Sequence, residues 1–483
     1  MKASVCISGI VILFLVISGC NKTVTPPAPL LPVPTERQLA WHKLEQYAFV
    51  HFTTNTFTDK EWGYGDESEK VFNPTAMDVT QWAKTIKAAG LKGIVLTCKH
   101  HDGFCLWPSK YTEHSVKNSP YKNGQGNVVD EVKKACRAEG LEFGIYFSPW
   151  DRNRADYGTP SYIEYYRNQL KELFEAHKPV FEMWFDGANG GDGYYGGANE
   201  KRKIDGKTYY DWPTTLKMVR EMEPNVIFFS DAGPDIRWCG NESGFVDETN
   251  WNTITPDTLY AGKSGIQELL GTGSEDGTNW IPAEVDVSIR PGWFYHARED
   301  SLVKTPEQLF DIYLSSVGRG ANLILNIPPD RRGLINPIDS VSLMGWKKLI
   351  AERFSNNLAL NKPVKASSFR GESATFSGDK TTDANEETYW ATDDNETTGT
   401  IEIDLGESQK VSYVWLQEYI RLGQRVKSFS IEAEKDGSWQ KLAEGTTIGY
   451  KRIMKVTPTE TQKVRITITG SKACPAISNI EIY

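Results

Sequence analysis

The chain is poor in the residue patterns that build metal and redox sites. Of its seven cysteines, Cys6 and Cys20 fall within the first twenty residues, and Cys98, Cys105, Cys136, Cys239 and Cys474 are scattered without any CxxC spacing. This excludes a zinc ribbon or a disulfide-stapled scaffold, although one disulfide among Cys98, Cys105, Cys136 and Cys239 stays open. Histidine is scarce too, with seven in 483 residues and neither HxH nor HExxH among them. His51, His100, His101 and Asp102 are the only local set worth testing as ligands. His100 and His101 are adjacent, and on extended backbone they point to opposite faces, so donors to sugar hydroxyls fit them better than zinc ligands. No basic run or acidic tail is present, and a net charge of −9 argues against a nucleic-acid partner. No GxGxxG or GxxxxGK follows a strand-like run, which removes the main support for dinucleotide or P-loop binding. What the chain has in quantity is aromatic surface, 12% of residues, with 15 Trp and 21 Tyr.

No apolar run is long enough to span a bilayer. Near the start, Lys2 precedes the apolar stretch Ile10–Ile17 and then Ile17-Ser18-Gly19-Cys20. That order is a signal peptide over residues 1–19, too short for a spanning helix. Its end resembles a bacterial lipobox, which implies cleavage before Cys20, a lipid on its sulfur, and a place in the bacterial cell envelope, periplasmic or on the outer membrane. Residues 20–36 hold five prolines and read as a stiff, extended tether off the membrane.

From residue 37 to 355 short apolar runs alternate with amphipathic helical segments. The runs are Ala48–Phe52, Gly93–Thr97, Phe143–Phe147, Phe181–Phe185, Val226–Phe229 and Asn322–Ile327; helices are expected over Asp78–Ala89, Val128–Ala138, Tyr162–Ala176 and Pro306–Val317. Continuous apolar runs suit strands buried on both faces, and this alternation predicts an α/β fold with a parallel sheet, best satisfied by a (β/α)8-like barrel. Residues 240–300 lack clean helices, so the barrel is expected to be irregular.

The strand ends carry the chemistry. His51 lies in the first run, Lys99-His100-His101-Asp102-Gly103-Phe104 follows the second, Tyr146 lies in the third, Asp186 closes the fourth and Asp231 the fifth. Polar groups converging from several strand ends are what a barrel active site requires. Two carboxylates are needed to hydrolyse a glycosidic bond. Asp186 is one. For its partner, Asp231, Glu242 and Glu284 are available: Glu242 lies in a Gly-flanked loop beside Trp238, where partial desolvation raises a carboxyl pKa, and Glu284 lies in a strand-like stretch leading to Arg290 and Trp293. Spacing alone does not separate Glu242 from Glu284.

Five segments in order, His51, Glu61-Trp62-Gly63, Lys99 to Phe104, Trp184-Phe185-Asp186-Gly187 and Asn322-Leu323-Ile324-Leu325-Asn326-Ile327, resemble glycoside hydrolase family 29, the α-L-fucosidases, over about residues 36–355. The resemblance implies a retaining mechanism with Asp186 as nucleophile and His51, Glu61, Trp62, His100, His101, Tyr146 and Trp184 around the fucose. The segment Ile236 to Glu242 resembles the subfamily that cleaves α-1,3 and α-1,4 fucose from branched, Lewis-type glycans. That implies Glu242 as acid/base, with Glu284, Asp286 and Trp293 contacting fucose or the branching galactose. Residues 190–203 depart from the family as a Gly- and Tyr-rich insertion. The alternatives are a non-catalytic glycan-binding surface lipoprotein and a retaining glycosidase for another sugar.

After Phe354, period-2 alternation in Thr400–Leu405 and Lys427–Glu434 predicts an all-β jelly-roll sandwich over residues 356–483. Ala359 to Val364, Asp383 to Trp390, Ile403 to Gly406 and Ile480 to Ile482 resemble a discoidin or carbohydrate-binding module. That resemblance implies a structural calcium on Asp383, Thr388 and Glu481; no cofactor is expected for catalysis.

Overall fold

The computed structural model describes residues 24–483. The expected signal peptide and Cys20, where a lipid anchor is expected, lie outside the described residues.

Eight parallel strands close a barrel: β1 (Gln46–Val50), β2 (Gly93–Lys99), β3 (Glu142–Phe147), β4 (Glu182–Trp184), β5 (Ile227–Ser230), β6 (Ile236–Trp238), β7 (Ala283–Ser288) and β8 (Asn322–Asn326). β1 pairs with both β2 and β8, which closes the ring. The six apolar runs all form strands because each is covered on both faces. Inside, Trp41, Tyr47, Phe49, Val95, Tyr146, Trp184, Phe229 and Ile324 fill the barrel. Outside, helices Val79–Ala88, Val128–Glu139, Pro160–His177 and Pro306–Ser315 bury their apolar stripes against it. Their ends obey local rules. Asp78 caps the first helix through Thr80 and Gln81 backbone amides at 2.9 and 3.0 Å, and Gly140, at φ +70°, ends the second.

The irregularity falls between β5 and β7. No helix separates β5 from β6, and the long β6–β7 connection contains the short helix Gln267–Thr272 and a two-stranded ribbon, Thr253–Ile254 against Asn279–Trp280. β6 is three residues long and carries Arg237, so no apolar run announces it. Arg237 is buried, and the backbone oxygens of Leu270 and Trp251 accept from it at 2.9 Å each.

The C-terminal domain is all-β and antiparallel: β9 (Val364–Ala366), β10 (Trp390–Ala391), β11 (Gly399–Glu418), β12 (Val426–Lys435), β13 (Ser438–Gly445), β14 (Arg452–Ser471) and β15 (Ala476–Ile482). The sheet order is β10-β15-β11-β14-β12-β13, with β9 on β11. It packs on the barrel through Phe354, whose ring meets Tyr413, Trp415 and Tyr483. Lys451, buried between the domains, pairs with Glu45 and lies 3.8 Å from the Trp415 ring centroid.

The proline-rich segment is not a free tether. Leu30 N donates to Leu422 O at 2.9 Å, while Arg370 Nε and Arg425 Nη2 each donate at 2.6 Å, to Thr25 O and Ala28 O. The reason is hydrogen-bond accounting. Extended, proline-rich backbone has unused carbonyls, and two nearly buried guanidinium groups need acceptors. All five cysteines of the described residues are free and buried, so no disulfide forms among Cys98, Cys105, Cys136 and Cys239.

Candidate active site

A cavity of about 360 Å³ opens at the carboxyl ends of the strands. His51, Trp62, His100, His101, Tyr146, Trp184, Asp186, Glu242, Asp286 and Trp293 line it, as do Asp231 and Trp238.

Asp186 follows β4. Its Oδ1 accepts from the Ala188 amide at 2.6 Å and its Oδ2 from the Tyr146 hydroxyl at 2.8 Å. Burial raises its pKa above the ordinary Asp value, and these two hydrogen bonds oppose the rise. Gly187 is required beside it: a Cβ there would lie 2.2 Å from Asp231 Oδ2.

The three histidines are neutral. His51 and His101 are pushed down to about 3, chiefly by burial, and His100 is lowered well below its ordinary value for the same reason. Hydrogen-bond partners fix the tautomers. Asn326 Nδ2 donates to Ser288 Oγ (2.9 Å) and Trp293 O (2.8 Å), which leaves Asn326 Oδ1 to accept from His51 Nδ1 at 2.8 Å. Ser148 Oγ donates to Trp150 O and so accepts from His101 Nδ1, both at 2.7 Å. In both rings Nε2 is then an acceptor. His101 Nε2 lies 3.7 Å from Asp186 Oδ2, beyond direct hydrogen bonding, so both remain available to ligand hydroxyls.

Glu242 sits exposed at the mouth, where Trp293 Nε1 donates to it at 3.2 Å. Its pKa is raised by desolvation, with the negative charges of Asp186 and Glu61 adding to the rise. Asp286 accepts from Trp238 Nε1 at 2.8 Å and is raised well above its ordinary value, by burial first and then by Glu242. The arrangement pairs a hydrogen-bonded carboxylate with a second carboxyl held toward its protonated form. Such a pair can attack and protonate opposite ends of one glycosidic bond.

Two expected contact residues are not among those that line the cavity. Glu61 accepts from the Trp293 and Phe294 amides (2.7 and 3.2 Å) and from His296 (2.5 Å), so it fastens the Trp293 loop. Glu284 is fully buried under Trp184, whose Nε1 donates to it at 2.8 Å, and it shares Tyr47 with Glu182. Two carboxyls this close and dry cannot both ionise; both are raised, first by burial. Glu284 therefore supports the floor and does not face the mouth as an acid/base must. Arg290 is buried as well, paired with Asp339 at 2.8 Å. The insertion at residues 190–203 forms a small hairpin whose Tyr195 accepts from Trp150 Nε1 at 2.9 Å; Trp150 in turn meets Trp62 and His101. Sequence reasoning did not place Lys263, Ser264 or Gln267, which also line the cavity from a loop without motif or periodicity.

The three expected calcium ligands form two hydrogen-bonded groups. Asp383 accepts from Thr388 at 2.8 and 3.0 Å, while Glu481 accepts from Asn479 at 2.9 Å and from the Tyr483 hydroxyl. These side chains alone do not supply the roughly six to eight oxygens that calcium takes.

Barrel, carboxyl pair and hydroxyl-accepting histidines define a glycoside hydrolase. Comparison with known proteins supplies the family. The α-L-fucosidase family model matches residues 32–348, and the F5/8 type C domain model matches residues 363–481. The chain is 38% identical over 97% of its length to α-L-fucosidase 1 of Arabidopsis thaliana, covering 90% of that protein. A glycoside hydrolase 29 family member from an unknown rumen bacterium superposes with a TM-score of 0.85 at 45% identity, covering 95% of this chain and 78% of that one. A Ruminococcus gnavus fucosidase of the same family, solved with fucose, superposes at 0.85 with 34% identity and covers 95% and 97%. The chain belongs to the glycoside hydrolase 29 family and is an α-L-fucosidase; the reading as a non-catalytic glycan binder is set aside.

Proposed function

We propose that the protein is a retaining exo-α-L-fucosidase that releases terminal α-1,3- or α-1,4-linked fucose from branched, Lewis-type glycans. The observation that carries this reading is the placement of Asp186 and Glu242 on one cavity that also holds a set of neutral histidines. Asp186, ionised and hydrogen-bonded to Tyr146, attacks the anomeric carbon. Glu242, whose pKa its surroundings raise, gives its proton to the departing oxygen. A fucosyl–Asp186 ester forms, Glu242 then removes a proton from water, and that water releases fucose. His51 and His101 accept hydroxyl protons of the sugar through Nε2. Fucose bound to the R. gnavus relative supports fucose as the glycone. The Ile236–Glu242 segment supports the linkage.

The test is fucose release from Lewis-a and Lewis-x trisaccharides, 2′-fucosyllactose and an aryl α-L-fucoside, with Asp186→Ala as control. Release from the branched sugars and the aryl fucoside but not 2′-fucosyllactose, lost in Asp186→Ala, is the expected result. Equal release from all three classes removes the linkage assignment; no release from any removes the mechanism. The lipobox-like segment supports attachment to the cell envelope through Cys20, and Cys20→Ser should move the protein from the membrane to the soluble fraction. A calcium ion in the C-terminal domain would be held by Asp383, Thr388 and Glu481 with further oxygens, and takes no part in the chemistry.

A further inference from the structure

The order of strands around the barrel separates the two halves of the substrate. His51 follows β1, His100 and His101 follow β2, Tyr146 lies in β3, and Asp186 follows β4. Glu242 follows β6. The strand between those of Asp186 and Glu242 is β5, and Asp231 is the residue directly after it. In a retaining step the acid protonates the departing oxygen, so the leaving group lies on the acid's side of the nucleophile. That is the side where Asp231 stands.

Asp231 also holds a loop. Its Oδ2 accepts from Gly262 N at 2.7 Å. Gly262 has φ +76°, and a Cβ on it would lie 2.4 Å from Asn189 Nδ2 and 2.7 Å from Gly187 O, so this loop rests directly on the nucleophile's own loop. Beyond Gly262, Lys263, Ser264 and Gln267 line the cavity, and buried Ile266 and Leu270 pin the segment below. Lys263 Nζ donates to Thr258 O at 2.7 Å, which turns its ammonium back onto its own loop. Among the described residues no other residue donates to Asp231 Oδ1, although the side chain lines the cavity. Oδ1 faces an open cavity with its lone pairs free, so a ligand hydroxyl can donate to it.

We propose that Asp231, with the Gly262–Gln267 segment it holds, is the binding site for the sugar released with the fucosidic oxygen, its Oδ1 accepting a hydroxyl of that sugar. This rests on the fucosidase reading and on Glu242 as the acid. Asp231 is thus a specificity residue: it selects polyhydroxylated leaving groups over flat aromatic ones.

The test compares kcat/KM for an aryl α-L-fucoside with kcat/KM for whichever fucosyl oligosaccharide the wild type cleaves fastest. Wild type, Asp231→Ala and Gln267→Ala are measured on both substrates. In Asp231→Ala the oligosaccharide-to-aryl ratio should fall by about tenfold to a hundredfold, the loss of one hydrogen bond to a charged group. Gln267→Ala, at an exposed position, should lower the same ratio by a smaller factor. Parallel losses on both substrates, or an unchanged ratio in both variants, overturn the proposal. If Asp231→Ala does not fold, the ratio in Gln267→Ala decides. A wild type silent on every fucoside removes the underlying reading instead, and this proposal with it.

Discussion

Replacing Tyr146 with Phe removes one hydrogen bond and little else. The hydroxyl donates to Asp186 Oδ2 at 2.8 Å, while the ring is stacked 5.3 Å from Trp184 and 5.7 Å from His100, packing that Phe can keep. A hydrogen bond to a charged group contributes about 1.5–3 kcal/mol, and one pKa unit corresponds to about 1.36 kcal/mol. The full loss would therefore move Asp186 by about 1–2 units. The Asp186 side chain is 22% exposed, so water replaces part of the bond and the lower figure, about one unit, applies. The sign follows from which form is favoured. The phenol stabilises the carboxylate, so without it the pKa rises and activity disappears at higher pH on the acid side. Asp231, pushed up to about 6 mainly by burial and raised further by the charge of Asp186, titrates with it, so the limb reports an apparent value for the pair. The assay is the pH profile of kcat/KM on an aryl α-L-fucoside. An acid limb that moves by less than about 0.3 unit would refute the claim that Tyr146 sets the ionisation of the nucleophile.

Three further outcomes follow from the same geometry. Glu242→Ala should lower kcat by about 10²–10⁴, with azide restoring turnover and yielding α-fucosyl azide; no rescue would move the acid/base elsewhere. Glu284→Gln keeps a hydrogen-bonding group under Trp184 and should hold kcat within about tenfold of wild type, with no response to azide, whereas loss of an acid/base costs far more. Asp339→Ala strands the buried Arg290 guanidinium, so thermal unfolding should show a loss of about 3–5 kcal/mol; an unchanged midpoint would mean that Asp300, 2.9 Å from Arg290, suffices alone.

The barrel was legible because six of its strands are continuous apolar runs, which only double-sided burial explains. β6 escaped, since its three residues include a buried arginine held by loop carbonyls. In the Lys99–Phe104 segment only the two histidines reach the cavity. Lys99 pairs with Asp151 at 3.0 Å in the core, and Asp102 accepts from Thr53 and Thr54 at 2.9 and 2.6 Å. The motif therefore marked the site while mixing ligand-facing residues with those that hold them. Glu242 and Glu284 could not be told apart from spacing, because what separates them is depth: one lies at the mouth and the other below Trp184, where an apolar stretch gives no hint of the Glu182 partner across the barrel. Asp231 did carry a signal, a carboxylate directly after a strand. The loop it grips carried none.

The most direct test of the mechanism is the configuration of fucose at the moment of release, followed by ¹H NMR during rapid hydrolysis of an aryl α-L-fucoside. Two displacements through Asp186 predict α-fucose first, relaxing later to the anomeric equilibrium. First appearance of β-fucose would mean a single displacement by water, and Asp186 would no longer be the nucleophile.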